Sequence, residues 1–134
     1  MEKEVVRYVD NGDNTVTDKK TGLQWIKDHV ALGGKFSGEM TLEEAQEECK
    51  ALNAGGHKDW RVPTREELLS TVDLTRYNPA IDPIFTNTKS SWYLTVTKVA
   101  VYSDGAWLVI FVRGNVFYYG KDNDNYVRPV RSSQ

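Results

Sequence analysis

Residues 106–119 read Ala-Trp-Leu-Val-Ile-Phe-Val-Arg-Gly-Asn-Val-Phe-Tyr-Tyr, a hairpin pattern that is apolar on both sides of each strand. Successive strand residues point to opposite faces, so Trp107, Val109 and Phe111 face one way and Leu108, Ile110 and Val112 the other. A surface hairpin needs only one of those sets for its core. In a chain of 134 residues a second buried layer is a large demand. The outward set therefore either lies under another segment, with 98–104 nearest in sequence, or forms a recognition surface. The second reading is adopted.

Composition narrows the classes. With 40% apolar and 11% aromatic residues the whole of 1–134 is expected to form a single globular domain. The formal net charge of −2 gives no basic footprint, and Arg128 and Arg131 are too few to supply one, so no nucleic-acid partner is expected. No apolar run approaches the ~20 residues that span a bilayer, which excludes membrane insertion by a helix. Met1-Glu2-Lys3-Glu4 leads into a strand with no signal-type apolar region, so no signal peptide is expected. Cys49 stands alone and makes no internal disulfide.

Short strands are predicted at Arg7-Tyr8-Val9, Thr15-Val16-Thr17 and Leu23-Gln24-Trp25-Ile26, separated by the turn pairs Asn11-Gly12 and Thr21-Gly22. Thr41-Leu42-Glu43-Glu44 and Thr64-Arg65-Glu66-Glu67 are capping boxes that open two helices. The first carries Leu42, Ala45, Cys49 and Leu52 on one stripe and ends near Asn53; the second carries Leu68, Leu69 and Val72 and stops before Pro79. Asp59-Trp60-Arg61-Val62-Pro63 is a short buried connector between them. Strands follow at 92–96, 106–112 and 116–119, and 126–130 closes the sheet with Pro129 at an edge or bulge.

The series Asp10-Asn11-Gly12-Asp13-Asn14-Thr15-Val16-Thr17-Asp18, Thr21-Gly22-Leu23-Gln24-Trp25, Asp59-Trp60-Arg61-Val62-Pro63-Thr64, Asn78-Pro79-Ala80-Ile81-Asp82-Pro83 and Val127-Arg128-Pro129-Val130-Arg131 resembles the carboxy-terminal domain of the Legionella collagen-like adhesins over nearly the whole chain. The resemblance implies an α+β, C-type-lectin-like fold in which two short helices flank antiparallel sheets and the two chain ends pair. It also implies a cell-surface, secreted or virion protein. Members of that family commonly pair a cysteine of the first helix with one in the closing strand, where this chain has Pro129.

A narrower likeness covers 92–131. Ala106-Trp107-x-Val109-x-Phe111-x-x-Gly114-Asn115-Val116, with Val127-Arg128-Pro129-Val130-Arg131 beyond, is similar to the variable segment of lectin-fold proteins diversified by retroelements. By that likeness the ligand-facing, variable positions are Leu108, Ile110, Val112, Arg113, Phe117, Tyr118, Tyr119, Gly120, Asp122 and Asp124. The scaffold residues are Trp25, Trp60, Trp107, Val109, Phe111 and Val116.

Other chemistry is weaker. Asp10, Asp13 and Asp18 miss the calcium-loop spacing and are read as turn residues, so no metal or other cofactor is expected. His29 and His57 have no partner motif and are read as solvated. Formylglycine-generating oxidases share the fold type that the resemblance implies, but they rely on paired cysteines that Cys49 alone does not supply. The resulting expectation is a non-enzymatic protein that binds a protein or glycan on a cell surface through a diversified face. The alternative is a glycan-binding adhesin module in which Trp92, Tyr118 and Tyr119 stack on sugar rings.

Overall fold

The computed structural model describes residues 6–100, 102–120 and 123–132. It opens with an antiparallel meander of β1 (Tyr8–Asp10), β2 (Thr15–Asp18) and β3 (Leu23–Ile26). The aspartates close their own turns. Asp10 accepts the Gly12 N–H at 2.9 Å and Asp13 the Thr15 N–H at 3.2 Å, while buried Asp18 accepts two Arg7 N–H groups at 2.9 and 2.8 Å and the Thr21 hydroxyl at 2.8 Å.

Both capping boxes form. They open α1 (Leu42–Ala51) and α2 (Arg65–Leu69), with Thr41 and Thr64 each accepting from the N3 amide and the N3 glutamate reaching back. Helix α2 is shorter than the Leu68, Leu69, Val72 stripe suggests. Its end is drawn off by the Ser70 and Thr71 hydroxyls, which donate to the Glu67 and Leu68 carbonyls, and Val72 bridges to Ile81 instead.

A second antiparallel sheet, in the order β4-β5-β6, comprises β4 (Trp92–Val99), β5 (Tyr102–Ile110) and β6 (Asn115–Gly120). The segment 126–130 does not close this sheet as expected. Tyr126 makes one isolated bridge to Tyr93, Pro129 has no N–H to offer a ladder, and regular pairing resumes only in β7 (Val130–Ser132) against β3. The four-stranded order is β1-β2-β3-β7. The first and last strands thus share a sheet but stand at its opposite edges; the expected pairing of the two chain ends is corrected to pairing of β7 with β3. With two antiparallel sheets and two short helices, the architecture is α+β.

The three-stranded sheet lies between two apolar clusters. Tyr93, Val109 and Phe111 enter one, with Trp25, Leu68 and Val130. Leu94 and Leu108, the sequence neighbours of Tyr93 and Val109, enter the other, with Met40, Ala45, Cys49 and Val62. Both faces of β5 are therefore core, and the second layer comes from α1 and its flanking segments; residues 98–99 lie in β4 and 102–104 in β5. Cys49 lies inside the second cluster, and burial pushes its thiol up to about 12. Ellman's reagent is expected to leave the native thiol unmodified over hours and to titrate it within minutes in denaturant; rapid native labelling would contradict this placement.

His29 is not solvated; the expectation is corrected by its complete burial. The Phe36 carbonyl, 2.8 Å from Nδ1, can only accept, so Nδ1 carries the proton. Nε2 then accepts from the Tyr93 hydroxyl at 2.7 Å, and that oxygen in turn accepts the Lys89 N–H at 2.8 Å. Arg128 is also fully buried, donating to the Ile26 and Lys27 carbonyls and the Thr88 hydroxyl, while Arg131 pairs with Asp59 at 2.6 Å. Both closing arginines are structural.

Candidate functional site

The hairpin sorts the expected ligand-facing residues into two groups. Leu108 is 2% exposed and belongs to the core, because α1 covers the face that was expected to meet solvent. Ile110 and Val112 are half-buried. Strand β5 ends at Ile110, and residues 111–114 form a turn closed by the Gly114 N–H on the Ile110 carbonyl at 3.0 Å, so strict alternation fails beyond that point. Arg113 and Asp124 are exposed; Phe117 and Tyr118 are 46% and 40% exposed. Asp122 lies outside the described residues, as does the Tyr119 side chain, while the Tyr119 and Gly120 backbones pair with Ala106 and Gly105.

Among the scaffold residues, Trp25, Trp60, Val109 and Phe111 are buried. Two others are less buried than expected. Val116 is 38% exposed on β6, the outer strand of its sheet. Trp107, on the central strand β5, is half-buried, and the Arg65 guanidinium lies 4.8 Å above its ring.

Trp107 begins a continuous aromatic row. Its ring meets Tyr118 edge-on at 5.4 Å, Tyr118 and Phe117 stack at 5.6 Å with planes 12° apart, and Phe117 reaches Trp92 at 5.7 Å. Adjacent strand residues leave opposite faces, and the inner side of β6 is occupied by its ladder to β5. The Phe117 and Tyr118 rings therefore meet around the outer edge of β6, and the row wraps that edge. Beside it a shallow depression of about 310 Å³ is lined by Trp92, Ile110, Val112, Arg113, Val116 and Phe117, with Asn115 at its rim.

A larger hollow of about 740 Å³ lies between β1 and residues 71–84. Its charged groups are already engaged: Arg7 with Asp18, Asp73 with Thr75 and Arg76, and Asp82 with the Ile84 N–H. Arg113 differs. It stacks loosely on Tyr77 at 5.9 Å and has no carboxylate partner among the described residues. Sequence reading had no local signal for Arg65 or Tyr77, which reach the hairpin from elements 42 and 36 positions away.

The hairpin tip is clamped from outside. The Asn78 and Ala80 N–H groups donate to the Val112 and Phe111 carbonyls at 2.9 and 2.7 Å. Gly114 has φ of +81°, and a Cβ there would overlap Val72 Cγ1. Gly114→Ala is expected to cost ~1–3 kcal/mol, from the left-handed backbone and the overlap together. Adding Val72→Ala should recover less than half of it, as the backbone component remains; full recovery in urea denaturation would contradict the assigned strain.

The model of the Lcl C-terminal domain family matches residues 14–131. The chain belongs to this family. No curated protein matches the chain. The Lcl C-terminal domain is an adhesin-related module, and the match takes in the aromatic row, its depression and the turn that supports them. Among the described residues of this Lcl domain no helix is long and apolar enough to cross a membrane.

Proposed function

We propose that the chain is a non-enzymatic adhesin module, on a C-type-lectin-like scaffold, that takes a protein or glycan ligand at a cell surface on the aromatic row around β6. The observation that carries this reading is the row itself. Phe117 and Tyr118 are large apolar side chains left in water on an outer strand, and exposed contiguous aromatics on a small domain are typical of binding surfaces. The scaffold reading is supported by the family, the two capped helices and the two antiparallel sheets. A cell-surface or secreted location is supported by the adhesin relationship. Oxidation of the formylglycine-generating type is set aside because it needs paired cysteines and Cys49 is buried and single.

Diversification by a retroelement is proposed for the described positions that reach the surface: Ile110, Val112, Arg113, Phe117, Tyr118 and Asp124. Leu108 drops out of the set, since polar residues there would enter the core. A near-copy of the coding segment for 106–131, with adenines at those codons and a reverse transcriptase gene alongside, is the expected genomic sign.

The direct test is adhesion. Phe117→Ala/Tyr118→Ala is expected to lower binding of the labelled domain to target cells by about tenfold or more, as for hot-spot aromatics, with the melting temperature shifted by only a few degrees. Unchanged binding by the folded variant would place the recognition surface elsewhere.

A further inference from the structure

We infer that the depression beside the row accepts an apolar side chain of a protein partner whose neighbouring carboxylate pairs with Arg113. This rests on the binding reading above and narrows its ligand. The walls are Trp92, Ile110, Val112, Val116 and Phe117, which offer shape and apolar surface and few hydrogen bonds. A sugar in so shallow and apolar a depression would find few side-chain partners to orient its hydroxyls. The polar side-chain groups of the lining are the Trp92 indole N–H, Arg113 and Asn115, and Arg113 is its sole ionisable residue.

The charge balance fixes the sign of the ligand. Every other arginine near the hairpin is neutralised or stacked close: Arg65 is paired with Glu66 at 3.0 Å and lies on Trp107, and Arg76 is paired with Asp73 at 3.0 Å. Arg113 is exposed, held only by its distant contact with Tyr77, and meets no carboxylate among the described residues. An apolar hollow whose one lining cation meets no carboxylate among the described residues complements an apolar group carrying an adjacent anion. In protein terms this is a leucine or phenylalanine next to glutamate or aspartate in an extended, exposed segment.

The test uses 8-anilinonaphthalene-1-sulfonate, an apolar ring system bearing one anion, on the intact chain. One saturable site with enhanced fluorescence is expected. Arg113→Gln should weaken it roughly threefold to fivefold, the range of a partly exposed charge pair, and Phe117→Ala by more. The peptide acetyl-Gly-Leu-Glu-Gly-amide should displace the dye better than its glutamine counterpart, and that preference should vanish in Arg113→Gln. Dye binding indifferent to Arg113, or peptides of equal potency, would overturn the inference. Displacement by glucuronate as effective as by the peptide would also overturn it, in favour of an acidic glycan. None of these results touches the adhesion test of the Phe117 and Tyr118 pair, so the two readings fail separately.

Discussion

Leu108→Ala and Phe111→Ala are both expected to destabilise the domain severely, by ~2–5 and ~3–5 kcal/mol respectively. The side chains lie three residues apart in sequence, yet each is almost wholly inaccessible and they fill different clusters. Leu108 shares its cluster with Ala45 and Cys49 of α1, and Phe111 meets Tyr93 edge-on at 5.1 Å. Truncating either leaves a cavity that its neighbours fill only in part. The sheet separates them, so the two costs should add to within ~0.5 kcal/mol in the double variant. Urea denaturation of the two singles and the double measures all three quantities. A cost below ~0.5 kcal/mol for Leu108→Ala, the usual size for a surface change, would mean that the α1 face of the hairpin is not core.

Stability is expected to fall in mild acid because of His29. Burial, reinforced by the cation of Arg128, lowers its folded-state value from 6.5 to about 4. The fold therefore holds the neutral ring, whose two nitrogens are satisfied by Phe36 and Tyr93. Above the unfolded value neither state binds the proton, and the full stability is present. Between roughly pH 6.5 and 4 the unfolded chain gains a proton that the folded chain refuses, so stability drops as pH falls, by ~3 kcal/mol across the window. The paired carboxylates, such as Asp18 and Glu67, are held below their ordinary values and lose stability only at lower pH. Denaturation midpoints at pH 7, 5.5 and 4.5 should show the decline, and His29→Gln should flatten it. A midpoint constant from pH 7 to 4.5 would contradict the buried neutral imidazole.

Local chemistry in the sequence was sufficient for the meander, both capping boxes and the buried place of Cys49. Each depends on residues a few positions apart: Asn11-Gly12, Thr41 with Glu44, and the 42/45/49 stripe. The double-sided hairpin was legible as an anomaly, but its resolution was not. Whether Leu108 faces solvent or α1 depends on a packing partner some 60 residues away, which strand alternation does not encode. The same holds for His29, whose burial is set by Tyr93 and Arg128, and for the closing strand, where Pro129 delays pairing until Val130 reaches β3. At the site, Arg113, Phe117 and Tyr118 are exposed as the alternation suggests, and Val116 is more exposed than its apolar pattern suggests, because the pattern does not reveal which strand is outermost.

The most direct test of the central claim, that β5 is core on both faces and recognition is confined to the outer edge, is a saturation scan of 106–118 selected separately for folding and for cell binding. The expected result is that polar substitutions at 108, 109 and 111 abolish folding, while those at 113, 116, 117 and 118 preserve folding and at 117 and 118 abolish binding. Folding that tolerates polar residues at 108, or binding that tolerates them at both 117 and 118, would contradict it.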